Sequence, residues 1–378
     1  MVPNFSRKSI ISIQWLCNFC AIFGLMPFYS FANKRFKLKR TCFMVFMSLI
    51  CIVITGTAAD TIYRIVCIDE FRLVHFMVMV SEFFGLLIWL VAAYQSCFKH
   101  NTWQEIFNGI QYFEDHNNDR IKERNIWKNT NLQFIVTVIL VITILIYERI
   151  TFNDSNQNVF LFNSSYIYFF LHFLLSTIIG NMALIIKNKF QNINRMLLTY
   201  EDTNLLKLLK GTRKVQDLYL QATTVIEYFN KLFGPLLFLM GLHCSALMLQ
   251  FSVFVVYNMF DKEQQHDDYS LLIIGVVDIF LMLLWLGVTM FCCDNVVAES
   301  ERIITICYKI QLKHSIFSVS YRSINNLLYV VTKKKVKFTA MDYYEIQRST
   351  MFGVIGTTAT YFVVLIQFYD GNKKRPTV

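Results

Sequence analysis

The sequence predicts an all-α membrane protein of seven transmembrane helices, with its N-terminus cytoplasmic and its C-terminus extracellular. Three observations carry this. The 378 residues are 55% hydrophobic, with 36 Phe and a mean hydropathy of +0.43, far more apolar than a soluble globule of this length. Seven runs are long and apolar enough to cross a hydrocarbon core of about 30 Å. The basic residues gather in alternate connections between those runs, a pattern that sets orientation and does not form a single face for nucleic acid.

The runs span residues 41–59, 73–97, 132–151, 159–186, 232–260, 271–293 and 351–369. An eighth stretch, from Ile10 to Phe28, carries Gln14 and Asn18 and is followed by the basic "KRFKLKR". That suits neither a cleaved signal nor a full span, and a partly embedded or interfacial helix is expected within a cytoplasmic arm of residues 1–40. Residues 1–40, 98–131, 187–231 and 294–350 hold 7, 5, 8 and 9 of the 36 Lys and Arg, which assigns these four segments to the cytoplasm. Residues 41–350 thus carry six spans and their cytoplasmic connections, and residues 370–378 form an extracellular tail. The glycosylation sequons at Asn153 and Asn163 flank the connection between spans 3 and 4, on the outer side; Asn4-Phe5-Ser6 in the arm shows that such triplets also arise by chance. Of ten cysteines only Cys67 falls in an outer loop, so a disulfide-stapled ectodomain is not expected.

The long connections are not plain linkers. Trp103, Ile106, Phe107, Ile110 and Phe113 repeat at helical spacing in one, and Leu205, Leu208, Leu209, Val215, Leu218, Ala222, Val225 and Phe229 in another, with a break expected at Gly211. Helices extending spans 4 and 5 and packing together beyond the membrane are expected. Phe338, Met341, Tyr344 and Ile346 are compatible with a short helix before span 7.

No enzymatic motif, metal-ligand set or cofactor fingerprint is present: Gly211-Thr212-Arg213-Lys214 lacks phosphate-loop spacing, and Cys17 and Cys20 have no second pair. Intramembrane polar groups are more informative, because ionisable residues at membrane depth face a cavity or a partner. Asp278, Glu82, His75, His172, Gln250 and Tyr257 lie in the outer halves of their spans, with Tyr147 and Tyr168 supplying aromatic surface. Together they form a candidate ligand-binding cup. An ordinary aromatic belt with Asp278 paired to a neighbouring helix would use the same residues.

Span 7 begins with small residues and carries Thr357, Tyr361, Val364 and Phe368 on one face, with Gln367 at its edge. A single-file aqueous path with a hydrophobic constriction uses these residue types, and so does close helix packing. The residues alone leave both readings open.

The stretch from Thr360 to Phe368, "TYFVVLIQF", resembles the TYhhhhhQF signature closing the last helix of insect gustatory receptors, within the insect chemoreceptor superfamily that also holds the sister odorant receptors. "YFNKLFG" at 228–234 is similar to that family's entry into span 5, whereas Glu345-Ile346-Gln347-Arg348 departs from its usual Leu-Asp-Arg type of sequence. The resemblance implies a tetramer of identical or related subunits in the plasma membrane of chemosensory neurons, acting as a ligand-gated, non-selective cation channel. It implies that span 7 lines the pore, with Gln367 and Phe368 at the outer gate and Val364 one turn below, and that a small-molecule tastant binds among spans 2 to 6. The alternatives are an odorant-type channel subunit, a G-protein-coupled receptor or a transporter. A cytoplasmic N-terminus is the reverse of a G-protein-coupled receptor. Tyr147-Glu148-Arg149-Ile150 would lie outside, where it meets no G protein, and span 7 has no NPxxY.

Overall fold

The computed structural model describes residues 14–30, 35–37, 56, 73–116, 164–200 and 204–260, scattered positions between 134 and 146, and residues 268–373. Most of spans 1 and 3, Tyr147, Asn153, Asn163 and the last five residues lie outside the described residues. Eight helices and two short hairpins are described: α1 (Gln14–Ile22), β1 (Phe28–Ser30), β2 (Arg35–Lys37), α2 (Leu73–Phe98), α3 (His100–His116), α4 (Ser164–Thr199), α5 (Leu205–Phe260), α6 (Asp268–Gln311), α7 (Val319–Lys333), β3 (Thr339–Ala340), β4 (Tyr344–Glu345) and α8 (Arg348–Lys373).

Among the described residues five helices are long and apolar enough to cross a membrane: α2, α4, α5, α6 and α8, matching expected spans 2, 4, 5, 6 and 7. Three of them overrun their spans at one end. At about 1.5 Å per residue the 56 residues of α5 extend about 84 Å, twice the thickness of a bilayer with its headgroups, so one end must project into water. The projecting ends of α4, α5 and α6 are clad by α3 and α7. Trp103, Ile106, Phe107, Ile110 and Phe113 of α3 are all buried, and α3 packs on α5. In α7 the buried stripe is Ser320, Ile324, Leu327, Leu328 and Val331, facing α5 and α6.

Polar contacts fix these elements at their ends. Ser318 caps α7 by accepting from the Tyr321 N–H at 3.1 Å, and the Tyr219 hydroxyl of α5 donates to the Lys334 carbonyl at 2.9 Å, satisfying a group the helix end cannot. Pro235 sits inside α5 without ending it. Proline has no N–H for the carbonyl four residues back, and that carbonyl, on Lys231, instead accepts from Lys99 Nζ at 3.4 Å.

Two local expectations are corrected. Gly211 does not break α5; the helix runs through it, and glycine leaves room for the Tyr200 ring, which lies 2.5 Å from where an ideal Cβ would stand. The segment before span 7 is a β-hairpin and not a short helix. Thr339 pairs with Glu345 and Ala340 with Tyr344, around Met341 and Asp342 at φ 53° and 60°. Two successive residues in the left-handed region end any helix and suit a tight hairpin turn. Burial then alternates: Phe338 and Ala340 go inward with Ile346, and Met341 is exposed.

The short helix α1 is nine residues, about 14 Å, and does not reach across a bilayer. Leu16, Cys17, Cys20 and Ala21 are buried, Phe23 meets Phe170 edge-on at 5.5 Å, and the Phe23 carbonyl accepts from Trp89 Nε1 at 3.0 Å.

Candidate functional site: a polar bundle interior and an uncovered last helix

Helix α4 is the buried axis of the bundle, contacting α2, α5 and α6. It brings several of the expected cup residues inward. Tyr168 is buried with its ring against Gly85 of α2, and Glu82 is buried. Ser81, beside it, donates to Gln250 Oε1 of α5 at 2.8 Å. His172, only 1% exposed, faces His243 of α5 at 5.8 Å between ring centroids. Asp278 is half-buried on α6 and is engaged by a neighbour. The backbones of His75 and Tyr257 lie in α2 and α5; their side chains are outside the described residues, as is that of Phe368.

The histidine pair is the chemically distinctive part. Neither His172 nitrogen, nor His243 Nδ1, nor the Ser176 hydroxyl one turn along α4 has a hydrogen-bond partner among the described residues. Trp285 of α6, whose ring meets Phe173 at 4.8 Å, likewise leaves its buried Nε1 unpaired. A neutral imidazole offers one donor and one acceptor, and each polar atom left unpaired in a dry interior costs about 1–3 kcal/mol. A bound group able to donate and accept there would recover part of that cost. His243 and Trp285 were not singled out from sequence; an ionisable residue inside span 5 was the available signal for His243.

The last helix is built differently. Its covered stripe is Met351, Val354, Ile355, Thr358, Phe362, Leu365 and Ile366, against α5 and α6. The opposite stripe, Thr357, Tyr361, Val364 and Gln367, is exposed, Tyr361 by 55%. Thr357, Thr358 and Thr360 donate to the carbonyls of Gly353, Val354 and Gly356 at 2.8, 2.9 and 3.0 Å, so no hydroxyl proton is left over and the exposed Thr357 and Thr360 present only oxygen lone pairs. An ideal Cβ on Gly353 or Gly356 would meet nothing within 4 Å.

The "YFNKLFG" segment docks the root of this helix. Asn230 Nδ2 donates to the Lys337 carbonyl at 2.7 Å and Asn230 Oδ1 accepts from the Thr339 N–H at 3.3 Å, so one side chain holds both sides of the entry to β3. Phe229 meets Phe338 at 5.1 Å, and Phe233 meets Trp103 of α3 at 5.3 Å. Tyr344 reaches the Leu237 carbonyl at 3.4 Å, and burial pushes its phenol up to about 12. No three His, Cys, Asp or Glu residues among the described residues are grouped to hold a metal ion.

Comparison with known proteins supplies the family. Among solved structures the fold is similar to the insect olfactory receptor OR5 from Machilis hrabei in complex with eugenol, with a TM-score of 0.61 at 11% identity over 95% of this chain and 99% of that one. It is also similar to a second structure of the insect olfactory receptor OR5 from Machilis hrabei, at a TM-score of 0.59 and 11% identity over 95% of this chain and 97% of that one. A search of curated protein sequences gives no match. The model of the 7tm chemosensory receptor family matches residues 13–372, nearly the whole length. With its apolar helices, that match makes this chain a multi-pass membrane protein of the 7tm chemosensory receptor family.

Proposed function

We propose that the protein is a gustatory-type chemoreceptor of the plasma membrane, a ligand-gated cation channel formed by four identical or related subunits around α8. One observation carries this reading. The apolar stretch of α8 is 6% buried within the chain, against 89% for α4. An interior helix of one subunit would be covered on all sides; α8 is covered on one stripe and presents threonines, Tyr361, Val364 and Gln367 on the other. Lipid is a poor neighbour for the Gln367 amide, whereas a water-filled path or another subunit suits it. In this reading Gln367 and Phe368 form the outer gate, Val364 the constriction below, and a small-molecule tastant occupies the polar interior near His172. Its binding opens the channel only to the extent that it favours the open arrangement. The TYhhhhhQF ending supports the gustatory rather than the odorant branch.

The test is reconstitution of the purified protein in planar bilayers with a panel of sugars, amines and bitter compounds. Ligand-dependent single-channel cation currents are expected. Saturable ligand uptake without unitary currents, from a demonstrably intact oligomer, would replace the channel with a transporter.

A further inference from the structure

Beyond the apolar stretches of α4 and α6, on the side with α3 and α7, the two helices leave a cavity of about 200 Å³. Its lining is Gln191, Asn194, Arg195 and Leu198 from one face of α4 and Glu299 and Arg302 from α6. The volume is below the roughly 300–1,000 Å³ of pockets for drug-sized ligands, so it suits a compact group.

The charges are arranged unequally. The Glu299 carboxylate is already engaged: it accepts from Asn194 Nδ2 at 2.8 Å and lies 3.5 Å from Arg302 Nη1. Asn194 is buried and also donates to the Glu299 backbone carbonyl at 2.9 Å, which fixes that wall. Arg195 has no hydrogen-bond or ion-pair partner among the described residues. Two guanidiniums against one spent carboxylate leave the cavity net positive, and two planar forks can share the three free oxygens of one phosphomonoester, which carries more negative charge than a carboxylate.

We propose that this cavity is a binding site for a phosphomonoester, clamped between Arg195 of α4 and Arg302 of α6. The site's depth narrows the source. Arg195 lies nine residues beyond Ile186, about 13 Å along the helix, past the headgroup layer of about 5–7 Å per leaflet. Ordinary phosphodiester lipids do not project so far; a phosphorylated inositol headgroup or a soluble organic phosphate does.

The experiment uses the purified full-length protein and two probes: inositol trisphosphate in solution, and phosphatidylcholine vesicles with or without phosphatidylinositol bisphosphate. Raised thermal stability with inositol trisphosphate supports the site with a soluble source; raised stability with the bisphosphate vesicles alone supports it with a lipid source. Arg195→Gln and Arg302→Gln, on exposed side chains, are expected to keep the unliganded melting midpoint and to weaken binding about tenfold or more each. Glu299→Gln keeps the acceptor for Asn194 but removes the negative charge, and is expected to tighten binding. Absence of binding to either probe, unchanged binding in both Arg variants, or weaker binding in Glu299→Gln would overturn the proposal.

Discussion

Arg348 Nε lies 2.7 Å from Asp294 Oδ2, which ties the first residue of α8 to α6 where α6 leaves its apolar stretch. The same guanidinium donates to Asn295 Oδ1 at 3.3 Å and sits 4.3 Å over the Phe291 ring. Three contacts from one side chain fix the root of the last helix against the helix beside it. The ion pair is partly exposed, so its contribution to stability is about 0.5 kcal/mol and it is screened by salt. Its consequence is positional. Asp294→Asn and Arg348→Gln are each expected to leave the melting temperature nearly unchanged and to shift the ligand concentration for half-maximal response several-fold. The double variant should shift it no further than either single one. Additive shifts in this cycle would show that the two residues act separately.

Asn230 is expected to be the more costly polar residue. Alanine removes the acceptor for the Thr339 N–H and the donor to the Lys337 carbonyl at once, leaving both backbone groups at the entry to β3 unpaired, for about 1–3 kcal/mol. Gly234→Ala attacks the same joint by a different route, since its Cβ would stand 3.0 Å from the Thr339 carbonyl oxygen and 3.2 Å from the Met341 nitrogen. Both atoms are backbone, so the hairpin must move. Thermal unfolding of each purified variant checks this, with Asn230→Ala and Gly234→Ala both expected to melt below the parent.

These two residues also show what the sequence made legible and what it hid. Helical periodicity exposed the inward face of α3 residue by residue, because a water-facing helix must alternate polar and apolar sides. The same rule had less purchase on α8, where Phe352 and Val363 are as exposed as Tyr361 within one chain. In a membrane both lipid and protein accept apolar residues, so hydropathy does not separate the faces. The hairpin escaped for another reason: "FTAMDYYEI" contains no Gly, Pro or Asn-Gly pair, and its turn uses Met341 and Asp342 at positive φ. The resemblance of "YFNKLFG" to a family segment marked 228–234, but only tertiary contacts reveal that Asn230 holds the entry to β3.

The pairing of His172 with His243 gives a prediction that separates binding from packing. Both rings are buried, and both His172 nitrogens and His243 Nδ1 lack a hydrogen-bond partner among the described residues. Replacing both with Leu removes the buried polar atoms together, so stability is expected to hold or rise within about 1 kcal/mol. If the pair contacts ligand, the same change weakens the response to an active tastant about tenfold or more while leaving unitary conductance intact. A large loss of thermal stability would instead assign the histidines to packing.

Gln367 provides the complementary test, because it lies on the exposed stripe with Tyr361 and Val364 and not on the stripe that meets α5 and α6. Gln367→Glu would place a ring of carboxylates, one per subunit, at the outer mouth of a pore. Such a ring attracts cations and repels anions, so cation conductance and the cation-to-anion permeability ratio should rise at low salt and the gain should shrink at high salt. Gln367→Lys reverses the sign and is expected to suppress cation current. Opposite effects of Glu and Lys that both fade at high salt would place the Gln367 side chain on the ion path. Unchanged permeation in both variants would assign the amide to contact between subunits.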